Sequence, residues 1–258
     1  MALQRLGRDG RWLVVAVDHP LYSWPCHGLE NRHQLLSTVA AAGADAVIAT
    51  YGTIRDCRDA FGEATPILKL DLSNVYLGNS YPESEFTVAW RLDDARRLGV
   101  GHVLTYVQLG SVFELEALKA AARIAADADA AEMTYICELI PVESERFRDP
   151  QAPVAIAAAV RTGAEIGAHV VKTSFPDPVA GLAEATGFGV PVVVAGGDPL
   201  SDPALLVARV DAALGAGAAG AAIGRNVWGA ADPGTLVQQL RQAIHPTAES
   251  TAAGEPAS

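Results

Sequence analysis

Three stretches of this chain carry the same joint. Ala42-Gly43-Ala44-Asp45-Ala46-Val47, Ile166-Gly167-Ala168-His169-Val170-Val171 and Ala216-Gly217-Ala218-Ala219-Gly220-Ala221 each pass from a helix-like end through a glycine into an apolar, strand-like run. A glycine just past a helix is the residue that takes the left-handed C-cap, and Gly99 fills the same place. The joint marks a helix that delivers the chain directly to another strand. Eight apolar runs fit such strands, at 12–18, 45–50, 66–71, 102–107, 133–139, 168–173, 190–195 and 218–224. They are mostly continuous rather than alternating, as expected of strands buried on both faces. Helix-like segments lie at 30–42, 54–61, 87–98, 113–127, 153–166, 179–186, 203–216 and 233–244. Eight βα units predict the α/β class and a single-domain (β/α)8 TIM barrel over residues 1–246, with a doubly wound open sheet as the alternative. The small, polar segment 247–258 is expected to be a disordered tail.

Charge and cysteine use narrow the function. The formal net charge is −11. A general nucleic-acid or anionic-membrane binder needs a basic face, so neither partner is expected. No apolar run approaches the roughly 20 residues of a membrane span. Arg5, Arg8 and Arg11 lead into a core strand rather than a signal-peptide apolar region. Cys26, Cys57 and Cys137 are odd in number and make no CxxC pair, which fits reduced thiols. A cytoplasmic protein is expected. The histidines have no ligand spacing, so no metal site is predicted, and no organic cofactor.

In a barrel of this kind the chemistry sits where the strands end. The first run ends in Asp18-His19, the third in Lys69-Leu70-Asp71, the fifth near Glu138, the sixth in Lys172-Thr173-Ser174, the seventh in Gly196-Gly197 and the eighth in Gly224-Arg225. Ionisable groups therefore collect at one rim.

Lys172 is the central candidate. The chain has only three lysines, Lys69, Lys119 and Lys172, against sixteen arginines, and two of the three lie in apolar runs. Partial desolvation and a nearby cation bring a lysine amine toward neutrality, the form that attacks a carbonyl to give a Schiff base. Lys69 is expected to supply that charge or to grip a substrate phosphate. The competing reading is a rim ion pair, for Lys172 with a carboxylate and for Glu138 with Lys69 or an arginine, and for Asp18 an N-cap or a salt bridge. Asp18 and Glu138 close apolar strands and are the acid/base candidates. His19 either packs or hydrogen-bonds near the rim, or touches the substrate. Gly196, Gly197 and Gly224 allow backbone N–H groups to approach an anion, a short helix start adds its dipole, and Arg225 adds a charge-assisted contact.

Val-Ala-Val-Asp18-His19, Val170-Val171-Lys172-Thr173-Ser174, Val-Val-Val-Ala-Gly196-Gly197 and Gly224-Arg225-Asn226-Val227-Trp228 together resemble the motifs of the archaeal-type class I fructose-bisphosphate aldolase family. That family also contains 2-amino-3,7-dideoxy-D-threo-hept-6-ulosonate synthase. The resemblance spans roughly residues 10–245. It implies Lys172 as the imine lysine, Asp18 as a residue that orients substrate or relays protons, and a phosphate held by Gly196, Gly197, Gly224 and Arg225. Lys69 and Ser174 are expected to contact the substrate, and the active form to be a homo-oligomer. The implied reaction makes or cleaves a carbon–carbon bond in a phosphorylated ketose, with dihydroxyacetone phosphate as donor or product. The alternatives are a transaldolase-like synthase of an amino-deoxy sugar, acyl transfer on the same scaffold, and a non-catalytic phosphosugar-binding barrel.

The chain departs from the family at one position. A Tyr-Pro pair is expected after the fifth run, and here Ile140-Pro141 stands in its place. Isoleucine cannot move a proton. Glu138, two residues back, shares its side of the strand and is the expected substitute. Tyr135 has the wrong parity and is expected to pack outward, leaving Tyr22, Tyr51 and Tyr106 as other sources of a hydroxyl.

Overall fold

A computed structural model describes residues 9–22, 25–73 and 85–246. The tail expected at 247–258 lies outside these residues. The strands are β1 (Trp12–Ala16), β2 (Ala46–Ala49), β3 (Thr65–Lys69), β4 (Asp71–Ser73), β5 (Phe86–Val88), β6 (His102–Leu109), β7 (Thr134–Pro141), β8 (Val170–Ser174), β9 (Val192–Ala195) and β10 (Gly220–Ile223). The helices are α1 (Arg32–Ala41), α2 (Tyr51–Asp56), α3 (Leu92–Arg97), α4 (Glu114–Ala130), α5 (Pro153–Glu165), α6 (Leu182–Thr186), α7 (Pro203–Gly215), α8 (Arg225–Trp228) and α9 (Pro233–Ile244).

Eight strands close in the order β1-β10-β9-β8-β7-β6-β3-β2, all pairs parallel. This is the (β/α)8 barrel expected from the eight apolar runs. Alternate residues divide into two cores, as the strand period requires. Trp12, Val14, Ile48, Ile67, Leu104, Ile136, Val170 and Val193 fill the barrel. Their neighbours, such as Leu13, Val15, Leu68, Val103, Tyr135, Leu139 and Val171, pack beneath the helices. Each such side chain contributes about 1.5–3 kcal/mol by leaving water. Gly43, Gly99, Gly167 and Gly217 all have positive φ, as the C-cap reading predicts.

The predicted helix at 87–98 is divided. Phe86–Val88 pairs antiparallel with Asp71–Ser73, and α3 starts only at Leu92. The hairpin hangs from the end of β3, with the backbone N–H groups of Ala89 and Trp90 both donating to the Leu70 carbonyl. The predicted helix at 54–61 is likewise broken at Cys57, whose φ of −123° separates α2 from a 3-10 turn at Arg58–Phe61. Among the described residues no helix is long and apolar enough to cross a membrane.

Candidate active site

Parity and register bring three polar side chains into one row. On β6, β7 and β8, Leu104, Ile136 and Val170 face the barrel interior. Tyr106, Glu138 and Lys172, two residues further on, face the same way. Tyr106 is the register partner of Glu138, and Glu138 is the register partner of Lys172. All three line a cavity of about 1140 Å³ at the C-terminal ends of the strands.

Lys172 and Glu138 are both buried, and Nζ of Lys172 donates to Oε1 of Glu138. This corrects the expected ion-pair partner of Glu138: it is Lys172 itself, not Lys69 or an arginine. A buried ion pair costs desolvation of both groups, and this one sets the amine and the carboxylate in direct contact. Thr173 points outward, its hydroxyl donating to the Leu139 carbonyl 2.8 Å away, and so fixes the strand around Lys172. Ser174 returns to the cavity wall.

Lys69 is not on that wall. It is 1% exposed, and its Nζ lies 3.0 Å from Asp71 and 3.7 Å from Asp18. The rings of Tyr22, Phe86 and Tyr106 surround it, each centroid 5.5–5.6 Å from Nζ. Burial pushes the Lys69 ammonium down, but Asp71, Asp18 and Glu138 outweigh it and leave its pKa above the usual lysine value. Burial raises Asp71 to about 6, against the opposing pull of Lys69. Asp71 also accepts the Tyr106 backbone N–H at 3.1 Å. The expectation that Lys69 grips a phosphate is therefore corrected: two buried carboxylates need its charge, and aromatic rings stand over it. Asp18, 3% exposed, belongs to this cluster and not to the cavity wall.

His19 does line the cavity. Burial lowers its pKa, so the ring is held toward the neutral imidazole. Among the described residues its buried Nδ1 has no hydrogen-bond partner, and it lies 3.7 Å from Asp18. A Cβ at Gly224 would sit 2.9 Å from His19 Cε1 and 3.0 Å from the Ala16 carbonyl, so glycine is what lets β10 pass behind the imidazole.

The loops after β9 and β10 meet as expected. Gly196, Gly197, Gly224 and Arg225 all border the cavity. Asn226 ties the loops together: its amide nitrogen donates to the carbonyls of Gly196 (3.3 Å) and Asp198 (3.1 Å), and its oxygen accepts from Leu200 N (2.8 Å). Arg225 holds Asp198 at 2.5 Å. Helix α8 has only four residues, so it offers a single turn and little of the dipole that a longer helix would bring.

A further part of the wall is the loop after β7. Glu143, Ser144, Glu145, Arg148 and Gln151 border the cavity there. Phe147 anchors the loop, buried, with its N–H donating to Ser144 Oγ at 3.2 Å, and Arg146 clamps it to Glu114 at 2.9 Å. Among the described residues, Arg148, Glu143 and Glu145 make no ion pair. Sequence reasoning missed this wall, because an irregular charged loop has no period to read; its one signal is position, immediately after a strand that ends at Pro141. Tyr135 packs outward as expected, 2.6 Å from Thr105 Oγ1. Burial pushes the outward Cys137 thiol up to about 12, which leaves no thiolate nucleophile there.

Comparison with known proteins agrees with this geometry. Over the whole of this chain and 94% of the relative, the sequence is 32% identical to 2-amino-4,5-dihydroxy-6-oxo-7-(phosphonooxy)heptanoate synthase of Streptomyces griseus. It is 31% identical to 2-amino-3,7-dideoxy-D-threo-hept-6-ulosonate synthase of Halobacterium salinarum, over 97% and 93% of the two chains. The fold superposes on an archaeal fructose 1,6-bisphosphate aldolase with a TM-score of 0.85 at 26% identity, covering 95% of this chain and 98% of that one. A second archaeal structure, solved with its catalytic lysine covalently bound to the carbinolamine intermediate of the substrate, gives 0.84 at 26% identity over 94% and 97%. Residues 12–230 match the family described as DeoC/LacD family aldolase, and the chain, an enzyme on a class I Schiff-base aldolase scaffold, belongs to that family.

Proposed function

We propose that this enzyme joins a dihydroxyacetone-phosphate-type ketone to an amino-acid aldehyde through an imine on Lys172. One observation carries the reading. Lys172 and Glu138 lie between the Gly196-Gly197/Gly224-Arg225 loops on one side and, on the other, Glu143, Glu145 and Arg148, which has no ion-pair partner among the described residues. The first side suits the donor phosphate, with backbone N–H groups and one guanidinium. The second suits a zwitterion, whose carboxylate meets Arg148 and whose ammonium meets a glutamate. A second phosphate dianion, as in a ketose bisphosphate, would meet two carboxylates for one cation there.

The names of the relatives support the same acceptor. In 2-amino-4,5-dihydroxy-6-oxo-7-(phosphonooxy)heptanoate the aldol bond runs from C4 to C5. Forming it from two pieces takes dihydroxyacetone phosphate and aspartate 4-semialdehyde.

The chemistry follows from the contacts. Proton transfer from Lys172 to Glu138 frees the amine to attack the ketone carbon. Protonated Glu138 then gives its proton to the carbinolamine hydroxyl, which leaves as water, and the iminium becomes the electron sink. The carboxylate of Glu138 removes the donor's α-proton to give the enamine. Enamine carbon attacks the aldehyde carbon, the aldehyde oxygen takes up one proton in place of the one Glu138 removed from the donor, and water hydrolyses the new iminium to release the ketone and Lys172.

The test is a direct comparison of substrates. Dihydroxyacetone phosphate plus aspartate semialdehyde is expected to yield product at least about tenfold faster than fructose 1,6-bisphosphate is cleaved, about 1.4 kcal/mol of discrimination. Arg148→Ala raises the apparent KM for the semialdehyde and leaves that for the donor unchanged. Faster cleavage of the bisphosphate, or no product from the semialdehyde, contradicts the reading.

A further inference from the structure

The geometry points to Tyr106 as the catalytic hydroxyl that gives the acceptor aldehyde its proton as the carbon–carbon bond forms. The inference rests on the imine reading above and extends it to a second proton site.

The reaction has two places where protons move. One is the lysine nitrogen and the donor carbon next to it. Glu138 serves that place, because its carboxylate is in contact with Lys172 Nζ. The other is the aldehyde oxygen, three bonds beyond the imine carbon, which becomes a hydroxyl when the enamine attacks. A carboxylate engaged with the lysine is on the wrong side to serve both places in one step.

The barrel order sets out the sites in the order of the substrate's atoms. The phosphate loops follow β10 and β9, Lys172 is on β8, Glu138 on β7 and Tyr106 on β6. These last three are register partners, so they stand at one height on neighbouring strands about 4.8 Å apart. A chain with its phosphate at β9 and β10 and its carbonyl carbon at Lys172 runs past Glu138 toward Tyr106. The phenol therefore lies where the aldehyde oxygen arrives.

The ring is also held for the task. Phe86 stacks on Tyr106 with centroids 4.2 Å apart, and Asp71 holds its backbone N–H at 3.1 Å. Lys69 Nζ lies 5.5 Å from the ring centroid, so negative charge that develops on the phenol faces an ammonium fixed beforehand.

The step balances simply. The enamine electron pair forms the carbon–carbon bond, the aldehyde π pair moves to oxygen, and the phenol O–H proton goes to that oxygen. The phenolate is reprotonated through cavity water by the proton that Glu138 took from the donor, which returns Glu138 to its carboxylate.

Three measurements on wild type, Tyr106→Phe and Tyr22→Phe test this. They are the borohydride-reduced dihydroxyacetone phosphate adduct by intact mass, exchange of the donor α-proton in D2O by NMR, and condensation with whichever aldehyde the wild type uses faster. Phenylalanine keeps the ring and its stack on Phe86. Tyr106→Phe is expected to keep adduct and exchange within about twofold of wild type while condensation falls by about 10²–10⁴. Unchanged condensation overturns the proposal. So does a parallel fall in all three readouts, or the selective loss appearing in Tyr22→Phe instead. No adduct on the wild type overturns the imine reading beneath it, a different outcome from an adduct with Tyr106 dispensable.

Discussion

Lys172 and Lys69 show how two lysines in similar apolar runs come to do different things. Both follow a hydrophobic stretch, and both point into the barrel. Lys172 meets one carboxylate at the edge of an open cavity. Lys69 meets two, 3.0 and 3.7 Å away, beneath three aromatic rings. Sequence alone ranks both as site residues, because the carboxylates around Lys69 come from the segment after β1 and from β4, and Asp71 sits on a strand too short to read. Removing Lys69 leaves Asp18 and Asp71 buried without a counter-charge. Breaking such a cluster typically costs about 3–5 kcal/mol. Lys69→Met is expected to lose that much stability in urea denaturation, and a change below about 1 kcal/mol would contradict a structural role.

At the scale of elements, the strands were legible and the rim was only partly so. Each barrel strand lies within or close to an apolar run, because a strand buried on both faces must be apolar at nearly every position. The β4–β5 hairpin escaped because Asp71-Leu72-Ser73 and Phe86-Thr87-Val88 are three residues each. The sequence pattern therefore predicts a helix from 87, inside the hairpin. This matters for function, since Phe86 lies on that hairpin and stacks on Tyr106. The strand-end residues Lys172, Glu138, His19, Ser174, Gly196, Gly197, Gly224 and Arg225 do meet at one cavity, since barrel topology alone brings strand ends together. The wall after β7 was not legible, because what makes Arg148, Glu143 and Glu145 a surface is the anchoring of Phe147 and Arg146 at a distance in sequence.

For the molecule as a whole, closure depends on joining the first and last βα units. At the end of the barrel opposite the cavity, His245, just past α9, bridges Asp45 at 2.7 Å and Asp9 at 3.0 Å. Asp45 in turn accepts Leu13 N from β1 at 2.8 Å. The hydrogen bond to Asp45, with that to Asp9, outweighs burial and raises the His245 pKa above its ordinary value. A histidine stabilised in its charged form contributes fully below its unfolded pKa of about 6.5, and the contribution is lost as pH rises through the higher folded value. The Tm difference between wild type and His245→Gln should therefore be largest near about pH 6 and shrink toward about pH 9. A gap that widens with pH would contradict the clamp.

The proposed chemistry depends on one covalent bond, the imine on Lys172. The most direct test incubates the protein with dihydroxyacetone phosphate, reduces it with borohydride and reads the intact mass. The wild type is expected to gain the mass of one reduced adduct and Lys172→Met to gain none. No adduct on the wild type, or an adduct that persists in Lys172→Met, would contradict the account.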